Sequence, residues 1–166
     1  MKVFHYLNKV ALMMLIALPC LANANIDNAK VEAVKEFYSF YFEGEGDGDD
    51  LDLFLTDDLI NVFNEDDACA QEELCAINYD VFIQGQDLDA KEIKRSLKYQ
   101  IQPNGTVKVT FTNFGTPVTL YYVVLCENDR CLIDDILGGA HSPFKSAVRK
   151  ELKEIEIERR KYLKHQ

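Results

Sequence analysis

The residues best suited to chemistry in this 166-residue chain are carboxylates, carboxamides and a phenol in two short stretches: Tyr79, Asp80, Gln84, Gln86 and Asp87 in one, Asp134 and Asp135 in the other. Along a strand, Asp134 shares a face with Leu132 and Ile136, while Asp135 shares the opposite face with Ile133. One of the pair is therefore expected to point toward the covered, concave side of a sheet. A carboxylate in such a place has a raised pKa unless it is paired, and a carboxyl raised in this way can serve as the general base of an isomerase or hydratase. The same groups have a second use, in which they hydrogen-bond loop backbone and hold the sheet to the segment around Asp80. That use is expected here, because no histidine, metal set or nucleophile motif accompanies them.

Other reactive centres are scarce. His141 follows a pair of glycines and His165 stands next to the C-terminus, so neither reads as a member of a catalytic triad. There is no Gly-x-Ser-x-Gly elbow, and the glycines near Gly44 alternate with acids, the wrong charge for a phosphate-binding loop. Cys69, Cys75, Cys126 and Cys131 form an even set that reads as two disulfides, with three connectivities open in principle. Local pairing is expected. Cys126 and Cys131 flank Glu127-Asn128-Asp129-Arg130, a hairpin-like turn between two apolar runs, and Cys69 with Cys75 would close a small loop after a helix. Zinc motifs space their cysteine pairs by about two to four residues, so no metal site is expected, and no motif implies a cofactor.

Such disulfides need an oxidising compartment, and the N-terminus supplies a route to one. Lys2 and Lys9 precede the apolar run Val10 to Leu18, and the small-x-small triplet Ala22-Asn23-Ala24 follows it. This is the layout of a secretory signal, expected to be cleaved after about Ala24, and the apolar run is short for ~30 Å of hydrocarbon. Cys20 follows Pro19 rather than a small residue, which argues against lipidation. The organisation expected is a signal peptide over 1–24, one domain over 25–142 and a basic helix over 143–166, in a periplasmic protein.

Charge is lopsided. Residues 25–142 carry eight basic and 24 acidic side chains, net −16, whereas 143–166 carry eight basic and four acidic, net +4. A body this acidic repels phosphate backbones, which excludes nucleic acid as a natural partner, and it suits a cationic protein or a small ligand.

The elements that must position these residues follow from periodicity. Residues 28–43 place Val31, Val34, Phe37, Tyr38 and Tyr41 three and four apart, an amphipathic helix for which Asn28 is the expected cap. The alternating glycines and acids from Glu43 to Asp50 predict a solvated loop. Thr56 should cap a second helix with Asp57 and Asp58 in its first turn. Asn78 to Asp89 has no clean period and reads as an ordered, partly buried segment. From Ile93 to Ile101 apolar and polar residues alternate, predicting a first strand. Val107 to Thr112, Val118 to Leu125 and Cys131 to Leu137 follow as three more strands, with turns at Pro103-Asn104-Gly105 and Gly115-Thr116-Pro117. Ser142-Pro143 should open a last helix, with the serine as cap and the proline in its first position. Its apolar stripe of Phe144, Val148, Leu152, Ile155 and Tyr162 is expected to dock on the sheet or the acidic body; an anionic membrane surface is the alternative.

Helices followed by a meander of strands give an α+β fold: N-terminal helices packed on a curved antiparallel four-stranded sheet, plus a C-terminal amphipathic helix. Val34 to Tyr41, Leu53 to Leu59, Asp80 to Asp87 and above all Leu132-Ile133-Asp134-Asp135-Ile136 resemble secreted and lipoprotein domains of unknown function in the nuclear transport factor 2-like (cystatin-like) superfamily. The resemblance spans about Ala29 to Leu137 and implies a sheet that wraps a helix around a conical pocket. A tryptophan common just before the Ile-Asp-Asp portion is missing, and the basic tail helix lies outside the resemblance. The sequence reading is thus an exported, non-enzymatic binding or interaction domain, with an immunity-type inhibitor of a secreted toxin as one specific form. A small enzyme using a pocket aspartate and an envelope-associated structural factor are the alternatives.

Overall fold

The computed structural model describes residues 24–43, 48–70, 75–128 and 130–164. The signal read over residues 1–24 lies outside these apart from its last residue, as do positions 44–47 of the acidic loop and His165.

The first helix, α1 (24–43), buries Val34, Phe37 and Tyr38, with Val31 and Tyr41 partly covered, as the three-and-four spacing requires. It is already helical at residue 24, so Asn28 lies inside it and caps nothing. The end of the expected acidic loop is a 3-10 turn, Gly48–Phe54. Helix α2 (Asp57–Ala70) starts where Thr56 Oγ1 accepts the Leu59 N–H at 3.3 Å, and it buries Leu59 and Val62.

The alternation from Ile93 does not form a strand throughout. Helix α3 (Ala90–Ser96) occupies its first half and β1 (Lys98–Ile101) only the second. Ile93 and Leu97 are four apart, a spacing that fits both periods, and the decision falls to capping. Asp89 accepts the Glu92 N–H at 2.9 Å, behind which Ala90, Lys91 and Glu92 are good helix formers. Ser96 ends the helix: its hydroxyl donates to the Glu92 carbonyl at 2.8 Å and accepts from Thr112 N–H at 2.8 Å, tying α3 to the sheet.

Strands β1, β2 (Val107–Asn113), β3 (Thr116–Glu127) and β4 (Arg130–Leu137) form one antiparallel sheet in the order β1-β2-β3-β4. The β2–β3 turn is Phe114-Gly115, one position earlier than expected. Both residues have positive φ (48° and 73°), the two-residue geometry that matches strand twist, and this frees Thr116 and Pro117 to pair. Val107, Val109, Phe111, Leu120, Tyr122, Val124, Ile133 and Ile136 make the covered face, and α1 lies against it. Disulfides join Cys69 to Cys75 (Cα–Cα 5.9 Å) and Cys126 to Cys131, directly opposed residues of the β3–β4 hairpin (Cα–Cα 4.0 Å).

Helix α4 (Phe144–Leu163) packs on α2 and β4 through buried Phe144 and Val148. Ser142 is not its cap. The cap residue is Pro143, Ser142 Oγ accepts from Gly138 N–H at 2.9 Å instead, and Asp135 Oδ1 takes the Lys145 N–H at 3.1 Å.

Candidate functional site

Strand β4 contains a bulge. Val124 pairs with Ile133 and Val123 with Asp135, which leaves Asp134 as the extra residue. The slip places Ile133 and Ile136 both on the core face, three apart, and removes Asp134 and Asp135 together from the concave interior. A strict period of two had put one of them inside, and no local signal marks the inserted residue. Asp134 Oδ1 accepts from Thr56 Oγ1 at 3.0 Å and from Lys145 Nζ at 2.8 Å. Asp135 Oδ1 accepts the N–H groups of Ile136 and Lys145.

These two aspartates therefore belong to a polar seam between α2, β4 and the start of α4. Lys145 also pairs with Asp58 Oδ2 at 2.7 Å, and Arg149 with Asp58 Oδ1 at 2.8 Å and Glu65 at 3.3 Å. The Arg149 and Lys145 hydrogen bonds bring the Asp58 carboxyl down to about 2. Burial alone would lower the Lys145 pKa, but its bonds to Asp134 and Asp58 outweigh that and hold it up.

The other stretch is organised around a turn in which the Asp80 and Gly85 backbones exchange hydrogen bonds. Asp80 Oδ1 accepts the Phe82 N–H at 2.8 Å, and Oδ2 accepts the Tyr41 hydroxyl from α1. Gln84, at φ 54°, donates to the Val81 carbonyl at 2.7 Å and accepts from Ala140 N–H, lying against Gly139. Gln86 donates to the Asn78 carbonyl at 3.3 Å, and the Asp87 carbonyl accepts from Asn113 Nδ2 at 3.0 Å. The side chains of Asp80, Gln84 and Gln86 are thus occupied by loop backbone or by Tyr41, whereas Asp87 takes part through its main-chain carbonyl and its side chain is exposed.

Tyr79 joins a constellation that sequence reasoning missed. Its hydroxyl lies 3.0 Å from His141 Nδ1, and His141 Nε2 lies 2.8 Å from Glu151 Oε2 of α4; the phenol and imidazole are stacked with planes 5° apart. Hydroxyl, imidazole and carboxylate in line form the order of a proton relay. Burial raises the Tyr79 pKa, which opposes deprotonation of the phenol. The three residues are 62 and ten positions apart, so only the docking of α4 brings them together.

Among the described residues, aromatic side chains pack the interior. Tyr38 from α1 and Tyr122 from β3 meet at its centre, hydroxyl to hydroxyl at 2.7 Å. Tyr38 Oη donates its one proton to the Phe82 carbonyl at 2.8 Å, so Tyr122 is the donor to Tyr38. Burial pushes both phenols well above their ordinary pKa, and Phe37 packs against Tyr38, Tyr122 and Phe82. Clefts instead open at the surface. One of about 400 Å³ lies between α1, α3 and β1, lined by Lys35, Ser39, Phe42, Lys94 and Tyr99; Lys94 Nζ donates to the Phe42 carbonyl, and burial pushes the Tyr99 phenol up to about 12. Two others adjoin on the outer side of α1. Among the described residues, no group of three or more His, Cys, Asp and Glu side chains is placed to hold a metal ion.

No known protein family matches the chain, and no curated protein matches it. A solved structure of a protein of unknown function from Bacteroides thetaiotaomicron VPI-5482 shares the fold, with a TM-score of 0.57 and 19% identity over 74% of this chain and 99% of that one. At that identity the likeness concerns the fold alone.

Proposed function

We propose that this is an exported, periplasmic binding domain that recognises a cationic protein by its acidic surface, an immunity-type inhibitor of a secreted toxin being the most specific form of that reading. The observation that carries it is the packing of Tyr38, Tyr122 and Phe37, buried and in mutual contact under the sheet where the implied conical pocket would hold a small substrate. Recognition is left to a surface on which residues 25–142 carry net −16. Two disulfides indicate an oxidising, non-cytoplasmic environment, and no described helix is long and apolar enough to cross a membrane. A resemblance to secreted domains of unknown function in the nuclear transport factor 2-like superfamily, suggested by helices followed by a meander of strands, supports the reading by analogy alone. The enzyme alternative is weakened by the hydrogen bonds that already engage Asp134 and Asp135, and the envelope-tether alternative draws on the exposed end of α4.

The test is fractionation followed by capture. Cells producing the full-length chain should release a protein that begins near Asn25 and has no free thiols. Immobilised, that protein should retain basic envelope or secreted proteins at low salt and release them as salt rises. Retention of the leader, free cysteines, or a bound set with no excess of basic proteins would overturn the reading.

A further inference from the structure

We propose that the outer side of α1, where it meets the β3–β4 hairpin, is the docking groove, and that its occupant is a cationic amphipathic helix of the partner protein. The inference rests on the binding-domain reading and names the surface that does the binding. Two clefts of about 330 and 490 Å³ adjoin there, sharing Ala29 and Cys131 in their walls. One wall is a single face of α1, since Ile26, Ala29, Ala33 and Glu36 recur every three or four residues. Leu53, Arg130 and the disulfide hairpin form the other wall.

Shape and chemistry agree on the occupant. From residue 26 to residue 36 the helix rises ~15 Å, enough to accompany about three turns of a second helix. Ala29 and Ala33 carry nothing beyond Cβ, so a partner backbone can come close, while Ile26 and Leu53, 47% and 58% exposed, offer apolar contact on either side. Among the described lining residues, Glu32, Glu36 and Glu127 stand against one cation, Arg130, whose Nη2 is already donating to the Leu53 carbonyl at 2.8 Å. Glu32 also holds Lys35 at 2.7 Å, and the surrounding body is strongly negative. An apolar stripe flanked by lysine or arginine is therefore the complementary face. A second copy of this chain fits less well: its α4 is cationic and amphipathic, but Phe144 and Val148 are already buried against α2 and β4, and its acidic body would be brought against this one.

The probe is a labelled synthetic helix of alternating leucine and lysine faces, compared by fluorescence anisotropy with a scrambled peptide of the same composition, both titrated with the purified protein. The patterned peptide should bind at least about tenfold more tightly. Ala29→Trp, which fills the groove without changing charge, should weaken it about tenfold, and Glu32→Gln with Glu36→Gln should do likewise if the tryptophan variant does not fold. Asp57→Asn with Asp67→Asn, the same charge change on α2, should leave binding unchanged. Equal binding of the scrambled peptide, or equal weakening by the α2 pair, overturns the groove and leaves a diffuse acidic attraction. Failure of both peptides and of every basic partner overturns groove and binding reading together. A dimer that Ala29→Trp dissolves overturns the partner assignment in favour of a second copy.

Discussion

At the scale of single residues, buried polar atoms decide most. Tyr38 gives its proton to the Phe82 carbonyl and receives that of Tyr122, so removing its oxygen strands two groups, whereas removing the Tyr122 hydroxyl strands one weak acceptor. Tyr38→Phe should therefore cost about 2–3 kcal/mol and Tyr122→Phe about 1 kcal/mol, as read from denaturant midpoints at constant slope; equal costs would contradict the assigned proton direction. Asp66 is a different case. It is buried, accepts the Ala76 and Ile77 N–H groups at 2.8 and 3.1 Å, and has its pKa raised by burial more than those bonds lower it. A carboxyl raised on folding binds more protons in the native state, so its penalty is absent below the unfolded value of about 3.9 and grows as pH rises through the folded one. Asp66→Asn keeps an acceptor and removes the charge. It should match the wild type in stability near pH 3 and exceed it at pH 7, and a constant difference across that range would show that the charge is not the source.

At the scale of elements, the docking of α4 is the decisive event. Its first two turns are held by Asp135 at the Lys145 N–H and by Lys145 and Arg149 against Asp58. Asp135→Ala should cost about 0.5–2 kcal/mol and show first as faster amide exchange at the start of α4, with α1 unaffected. Asp58 has a folded pKa of about 2, below its unfolded value, so its contribution is present above about pH 4 and is lost as pH falls toward 2. Asp58→Asn should flatten the acid limb of the stability curve in that window; an unchanged limb would place acid sensitivity elsewhere. The far end of α4 is less engaged, with Tyr162 and Leu163 69% and 63% exposed. The expected docking of this helix thus describes its first half, and the membrane alternative draws only on its last turns.

For the whole molecule, the covalent staples are local. The disulfides join residues six and five positions apart, so each closes a small loop worth about 2 kcal/mol in the chain-entropy account. Cys126→Ala with Cys131→Ala should lower stability by about that amount and leave a cooperative fold, because the core under the sheet does not depend on the hairpin tip. Collapse to a molten state on losing this bridge alone, seen as loss of near-ultraviolet dichroism, would reverse that ranking.

What the chain determines by itself is whatever local pattern determines. The aromatic stripe of α1, the Thr56 cap, the period-two strands and the close cysteine pairs were legible, because each is specified by residues within a few positions of one another. The Asp89 cap was legible in principle but was hidden by an alternation that two periods share. The bulge at Asp134, the Tyr79–His141–Glu151 line and the filling of the interior by Tyr38 and Tyr122 are tertiary decisions. They depend on which elements come to lie side by side, and a strand's alternation carries no mark of an inserted residue until its partner strand fixes the register.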